Sequence, residues 1–394
     1  MANRRLLIHY FGPIQHADVQ LHNLTVFVGP QATGKSLAMQ LCYFMQWLER
    51  LVIPMDDSEQ PAPQEILLHS LKSYLSTEIS TYASTNTHIC WYSDTEQEET
   101  RQEIWWRGSK FHLNDALLAR VQRILAGKNS LSENEGVYIP AGRIVYSYVT
   151  PSQSMRIAAQ RVTLQWPHSM YSFYELLEET IRNLWQQQEQ QKRRSSAASN
   201  ISEDTSFLKQ RIQSIIQGQL HYGHNTILLD IGNKTLTPQI FAAGQMEIWP
   251  FCALVENGFL LEQSLEHVFF EEPEAHLHPG AQIQVMEIIA FLVNKGVEFL
   301  LTTHSPYMLY TLNNFLTASE ILQAGLPLDA DQRKTALTPQ RVAAYRFARD
   351  GNVTAILEKD TGLINADELD EIADELGADF HELLSKLPDN GVLA

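Results

Sequence analysis

Polar and apolar residues alternate over residues 5–10, a pattern that predicts a strand, and an unbroken apolar run over residues 24–28 then ends at Gly29. A run apolar on both faces predicts a central strand covered on both sides. Residues 36–52 follow with apolar positions at Leu37, Leu41, Phe44, Met45 and Leu48, the spacing of one helix face. The polar, proline-bearing stretch 54–63 predicts a loop. Residues 88–92 and 103–107 read as hairpin arms around an acidic tip at 94–99, and residues 114–125 as a short helix. A strand over 137–149 is interrupted at Pro140-Ala141-Gly142-Arg143. Helical periodicity returns over 172–191 and 206–217, with a polar low-complexity stretch at 186–196 between them. That tip favours an arm projecting from the body over a hairpin packed flat on it. Short apolar strands at 226–230, 267–271 and 297–301 alternate with helices, so the expected class is α/β, with a mostly parallel sheet, a small antiparallel sheet and a short inserted helical arm.

Composition narrows the class further. The 394 residues are 44% hydrophobic and 19% charged, inside the globular range. No apolar run approaches the roughly 18 residues of a membrane span, and the start lacks a signal-peptide core, so a soluble cytoplasmic protein is expected. Three separated cysteines, Cys42, Cys90 and Cys252, sit among apolar residues and predict buried thiols, not a disulfide framework or a zinc knuckle. With 46 Asp and Glu against 29 Lys and Arg, the net charge is −17. Residues 350–394 hold 12 acids against Lys359 and Lys386, so −10 lies there and only −7 on the other 349 residues. Nucleic-acid binding is disfavoured but not forbidden, since a basic patch acts locally.

The candidate chemistry lies at strand ends. Gly29-Pro30-Gln31-Ala32-Thr33-Gly34-Lys35-Ser36 has the P-loop pattern in the required context, after a buried strand and at the opening of a helix. Residues Gly29, Pro30, Gln31, Ala32, Thr33, Gly34, Lys35, Ser36 and Leu37 would cradle ATP, with Lys35 reaching the β- and γ-phosphates and Ser36 placing its hydroxyl on Mg²⁺. His267-Val268-Phe269-Phe270-Glu271-Glu272 is an apolar strand ending in two carboxylates. Glu271 would hold Mg²⁺ directly or through water, and Glu272 would polarise the attacking water. Leu300-Leu301-Thr302-Thr303-His304 ends the next strand in a histidine that would contact the γ-phosphate or that water. Parallel strands deliver these ends to one sheet edge, making Lys35, Glu272 and His304 the candidate catalytic set.

The order of these motifs, with Phe270-Glu271-Glu272-Pro273-Glu274-Ala275-His276-Leu277-His278-Pro279 and Thr302-Thr303-His304-Ser305-Pro306, resembles the ABC-type ATPase head of RecF, SMC and OLD-like proteins. It is most similar to bacterial ATPases near the OLD family, including the ATPase subunits of antiphage systems such as PARIS and Septu. The resemblance implies a head in two parts, residues 1–165 and 223–320, an arm insertion at 166–222, and an acidic extension at 321–394. It also implies ATP sandwiched between two heads, each signature facing the other's P-loop. Here the matching segment is Phe241-Ala242-Ala243-Gly244-Gln245-Met246-Glu247, with alanines at 242 and 243 where the family carries serine and glycine. Ala243, Gly244 and Gln245 would then cap the partner's phosphate through helix N-terminal amides. Residues 274–279 correspond to the D-loop; His276 and His278 can be read as metal ligands, although the family places similar residues there without a dedicated metal.

Tyr138-Ile139-Pro140-Ala141-Gly142-Arg143 resembles a family element with glutamate at the position of Gly142, which leaves Arg143 as a nucleotide-edge or interface residue. The short stretch after the head is not expected to hold a Toprim nuclease of the OLD type. Residues 344–347 and 353–357 predict two strands, and Asn365 with Glu368 opens a capped amphipathic helix, docked on the head or offered to another subunit. The expected function is an ATP-gated sensor or scaffold of antiphage defence, self-associating as a dimer or higher homo-oligomer and holding a separately encoded effector. The alternative is a DNA clamp of the RecF or SMC sort, favoured by Lys192, Arg193, Arg194, Lys209 and Arg211.

Overall fold

The structure is a computed structural model that describes residues 4–46, 48, 62–75, 81–94, 101–108, 110–126, 135–143, 168–193, 203–223, 226–258, 260 and 265–365. In chain order, β1 (Arg5–Phe11), β2 (Ile14–Gln20) and β3 (Leu24–Val28) lead into α1 (Lys35–Gln46) and α2 (Pro63–Leu75). Next come β4 (Ala83–Tyr92), β5 (Arg101–Arg107), β6 (Lys110–Leu113), α3 (Asp115–Leu125) and β7 (Glu135–Ile139). The helices α4 (His168–Arg193) and α5 (Glu203–Ile216) precede β8 (Gln219–Gly223), β9 (Thr226–Ile231) and β10 (Lys234–Leu236). The last part runs α6 (Ala243–Glu256), β11 (Leu265–Glu271), α7 (Pro279–Asn294), β12 (Glu298–Thr303), α8 (Pro306–Gln323), α9 (Ala330–Thr335), β13 (Val342–Phe347) and β14 (Val353–Ala355).

The main sheet has the order β14-β13-β3-β12-β11-β7, parallel throughout except for β14. Its strands are buried on both faces, which is why they read as continuous apolar runs. Leu24, Val26, Val268, Phe270, Phe299 and Leu301 point into one core, shared with the helices α4–α8. Phe27, Phe269, Leu300, Tyr345 and Phe347 point into the other, shared with α1–α3 and a five-stranded antiparallel sheet of order β2-β1-β4-β5-β6. A small sheet, β10-β9-β8, completes the α/β architecture. All three cysteines are buried thiols. No described helix is long and apolar enough to cross a membrane.

Two features depart from the sequence expectation. The described parts of α4 and α5 do not stand clear of the body: Phe173, Leu177, Ile181 and Leu184 of α4, and Phe207, Ile212 and Ile216 of α5, are buried in the helix-side core. Gln188, near the end of α4, accepts a hydrogen bond from the Tyr222 amide at 3.2 Å. Apolar residues recurring along both helices were the signal for a packed hairpin, and the polar stretch that suggested projection begins only after Leu184. Second, the segment after 320 is not wholly an appendage, because β13 pairs in parallel with β3 and belongs to the main sheet. The amphipathic helix expected after Asn365, the basic residue Arg194 and the acidic hairpin tip beyond Asp94 lie outside the described residues.

Candidate functional site

The ends of β3, β11 and β12 meet at one sheet edge, because these strands are parallel and in order β3-β12-β11. The loop after β3 owes its path to two glycines. Gly29 adopts φ +140°, and a Cβ there would lie 2.3 Å from the Phe347 carbonyl oxygen, so β13 fixes the entry to the loop. Gly34 adopts φ +98°, where a Cβ would meet Ile14 Cγ1 at 2.6 Å. With Ala32 also left-handed at φ +62°, the turn has the alternating backbone that points successive N–H groups inward. Thr33 closes it by donating from Oγ1 to the Pro30 carbonyl at 2.9 Å. Lys35 opens α1 and folds back, its Nζ donating to the Gly29 and Pro30 carbonyls at 2.8 and 2.7 Å. Burial lowers the Lys35 pKa to about 8, with Glu272 and Glu274 pulling the other way. A cleft of about 510 Å³ runs beside the loop, lined by Pro13, Gln31, Thr33, Ala348 and Arg349 among others.

Across the edge, Glu272 follows β11 in left-handed backbone at φ +41°, a costly conformation for a residue with a side chain. Its amide donates to the Thr302 carbonyl at 2.9 Å, and its carbonyl accepts from Arg143 Nη2 at 3.0 Å. This pinning aims the carboxylate outward, where Oε1 lies 3.3 Å from His304 Nε2. The hydrogen bond from His304 holds the Glu272 carboxyl below its ordinary range, and Lys35 and Arg143 act in the same direction. Lys35, Glu272 and His304 are therefore brought to one edge. Glu271 is buried, and both of its oxygens have protein donors: Tyr138 Oη to Oε1 at 2.7 Å and the Ala141 amide to Oε2 at 2.8 Å. Ser36 lies at the second position of α1, beside Lys35.

Sequence reasoning placed Glu274 in the D-loop and missed its role in positioning His304. Its Oε1 accepts from Thr303 Oγ1 at 2.7 Å and from the His304 amide at 2.6 Å, so it fixes the backbone from which the histidine projects. Burial raises its pKa, while these donors oppose the rise. The visible signal was a third carboxylate two positions beyond Glu272. Arg349 was missed as well, because only tertiary placement of β13 carries it to the P-loop cleft.

Arg143 is not at a nucleotide edge. It is fully buried and donates to the carbonyls of Pro140, Glu271, Glu272 and Glu247, at 2.9, 2.6, 3.0 and 2.8 Å. Its guanidinium lies over the Phe270 ring, and Glu247 Oε2 is 3.6 Å from Nε. One side chain thus ties the β7 loop, the carboxylate-bearing strand end and α6 together. The candidate signature opens α6 on the surface. Gly244 is required there, because a Cβ would lie 2.6 Å from the His276 carbonyl oxygen. Gln245 is engaged structurally, accepting from the Ala242 amide at 2.9 Å and donating to the Ile216 carbonyl at 2.7 Å. Exposed Ala242 and the half-exposed Gly244 share a groove with His276, His278 and Gln284, and Ala243 between them is exposed. His278 caps α7 by accepting from the Gly280 amide at 3.1 Å. His276 and His278 do not belong to a cluster of potential metal donors among the described residues.

No curated protein sequence matches the chain. Among solved structures, an Smc head bound to the C-winged helix domain of ScpA aligns at 11% identity and TM-score 0.48, covering 90% of this chain and 97% of that one. An Smc head with an extended coiled coil, bound to the C-terminal domain of ScpA from Pyrococcus furiosus, aligns at 12% identity and TM-score 0.46, covering 95% and 99%. The SMC head domain from Thermotoga maritima aligns at 12% identity and TM-score 0.36, covering 79% and 92%. At the level of sequence family, the AAA ATPase domain matches residues 1–309, more than three quarters of the chain. The chain therefore belongs to the AAA ATPase domain family.

Proposed function

We propose that the chain is an ATP-hydrolysing head of the ABC type, whose sites are completed when two heads close on each other. The observation that carries this reading is the pairing of Glu272 with His304 across from Lys35, at the edge where three parallel strands end. The family implies a nucleotide, and the donor set fits one: a turn of left-handed residues at a helix N-terminus, with a buried ammonium inside it. ATP supplies the anhydride bond whose cleavage drives the cycle, and Mg²⁺ supplies charge neutralisation at its phosphates. Lys35 would exchange its two loop carbonyls for phosphate oxygens. Ser36 would hold Mg²⁺, with Glu271 behind an intervening water, the mode compatible with its two existing protein donors. Glu272 would take hydrogen bonds from the attacking water while His304 steadies both.

Catalysis of this kind rests on positioning and on charge placed in advance. The exposed N-terminus of α6 would complete the partner's site with the amides of Ala243 and Gly244, the hydroxyl of the usual signature being absent. Closure of two heads then controls turnover. The motif resemblance extends this to an ATP-gated subunit of antiphage defence holding a separate effector. The test is sizing with ATP and Mg²⁺. Glu272→Gln is expected to accumulate as an ATP-bound dimer or higher assembly while the wild type returns to its nucleotide-free state. A variant that binds ATP yet keeps its nucleotide-free size would sink the closure model.

The DNA-clamp reading retains one observation in its favour, the basic pair Lys192 and Arg193 that ends α4. A phosphate-backbone contact would weaken steeply with salt. ATP-loaded Glu272→Gln that retains no duplex DNA at low salt removes that reading and leaves the ATPase assignment intact.

A further inference from the structure

The five-stranded sheet presents its outer face on the side away from the core, and that face carries a concentration of metal-donor side chains. Residues directly opposite on neighbouring strands form one row, His16-His9-His88-Trp105-His112, through the registers of β2, β1, β4, β5 and β6. Two residues further along the same face, Cys90 of β4 stands opposite Glu103 of β5. Positions two apart on a strand share a face, and opposite positions are the closest cross-strand pair. His88, Cys90 and Glu103 therefore converge by backbone geometry alone.

The side chains do converge. His88 Nε2 is 2.8 Å from Glu103 Oε2 and 3.4 Å from Cys90 Sγ, and one ligand atom from each residue lies within 4.8 Å of the others. No other group of this kind occurs among the described residues. Cys90 is buried at 2% exposure yet belongs to neither apolar core, whereas its neighbours Ile89 and Trp91 do. This thiol, on the outer face of the sheet, has Leu7 of β1 and Glu103 of β5 opposite it and His88 two positions back, so it stands among donor side chains and outside both apolar cores. Arg101 Nε holds Glu103 Oε1 at 2.5 Å, which turns Oε2 toward His88 and Cys90. This is the outer-shell orientation typical of a carboxylate ligand.

We propose that His88 Nε2, Cys90 Sγ and Glu103 Oε2 form a binding site for a divalent zinc-class cation, outside the nucleotide site. One nitrogen, one sulfur and one carboxylate oxygen suit tetrahedral Zn²⁺, with water in the fourth position. Binding forms the metal–sulfur bond as the thiol proton leaves to solvent, so affinity weakens as pH falls. The bound ion pins β4 to β5 on the outer face of the sheet. Arg101 is a positioning residue, keeping Glu103 Oε1 while Oε2 turns to the metal.

Cobalt is the probe, because a thiolate ligand gives Co²⁺ an ultraviolet charge-transfer band that the oxygen-rich nucleotide site cannot produce. Titration of the nucleotide-free full chain is expected to give this band at one equivalent, and Zn²⁺ is expected to displace it. The band should vanish in Cys90→Ala and weaken sharply in His88→Gln and Glu103→Gln, both partly exposed substitutions that leave the fold intact by circular dichroism. Arg101→Leu should lower Co²⁺ affinity by about 10- to 100-fold. No stoichiometric band, or a band indifferent to His88→Gln and Glu103→Gln, overturns the site. Loss of ATP binding with the band retained would count against the proposed function alone.

Discussion

Lys35 is held by two carbonyls of its own loop and surrounded by protein, so its ammonium is less stable than in water. With its pKa lowered to about 8 from the ordinary 10.5, the unfolded chain binds more protons between those values. Folding stability from this group therefore rises as pH climbs through that window. ATP phosphates would raise the Lys35 pKa again, so ATP binding above pH 8 is expected to take up protons. Calorimetry in buffers of different ionisation enthalpy reads this directly; an enthalpy independent of buffer, or unchanged in Lys35→Met, contradicts it. Glu272 gives a slope of the same sign in an acidic window. Its carboxyl is held low chiefly by His304, so its contribution is present above the ordinary carboxyl pKa and lost as pH falls through the lowered value. His304→Ala should move the acid limb of the ATPase pH profile upward besides lowering kcat. An unshifted limb would mean that His304 does not govern Glu272.

At the scale of elements, two contacts between segments decide how the site is assembled. Gly244 lies against the His276 carbonyl, so Gly244→Ala must push the start of α6 away from the turn after β11. ATP affinity of the single head should survive while ATP-dependent assembly is lost, which equilibrium nucleotide binding and sizing measure separately. Arg143 serves four carbonyls in a fully buried position. Arg143→Leu leaves Glu247 buried without its partner and should cost about 3–5 kcal/mol in denaturant unfolding. The P-loop, the paired carboxylates and the histidine were legible in sequence, because each is a local motif at the end of an apolar run. Arg143 was visible only as a residue type: nothing within Pro140-Ala141-Gly142-Arg143 says that its guanidinium turns inward to carbonyls more than 100 residues distant. For Glu271 the sequence leaves direct and water-mediated metal contact equally open, and only the structure shows that Tyr138 and Ala141 already donate to both oxygens.

For the whole molecule, the parallel core sheet was predictable from strand spacing, whereas β2, α2, β8 and β10 were not. β2 buries Ile14, Ala17 and Val19, a spacing too irregular to read as clean alternation, and β10 has only three residues. Sheet order was also out of reach, since β13 enters beside β3 across more than 300 residues of sequence. That placement makes a prediction about truncation. A chain ending at Arg341 loses the parallel neighbour of the P-loop strand and should be insoluble or molten. A chain ending at Asn365 keeps β13, β14 and the bond from the Ile364 amide to Asn313, and should melt within a few degrees of the full chain. Equal melting behaviour for both truncations would show that β13 is dispensable.

The close approach of Gly29 to Phe347 has a further consequence. The chain leaving β13 passes Ala348 and Arg349 along the cleft beside the phosphate loop before turning back into β14. A ligand of that C-terminal segment which shifts the Phe347 carbonyl thereby alters nucleotide affinity, and thermodynamic reciprocity requires nucleotide to alter that ligand's affinity by the same factor. The backbone oxygen of Phe347 is the contact through which β13 and the phosphate loop would be coupled.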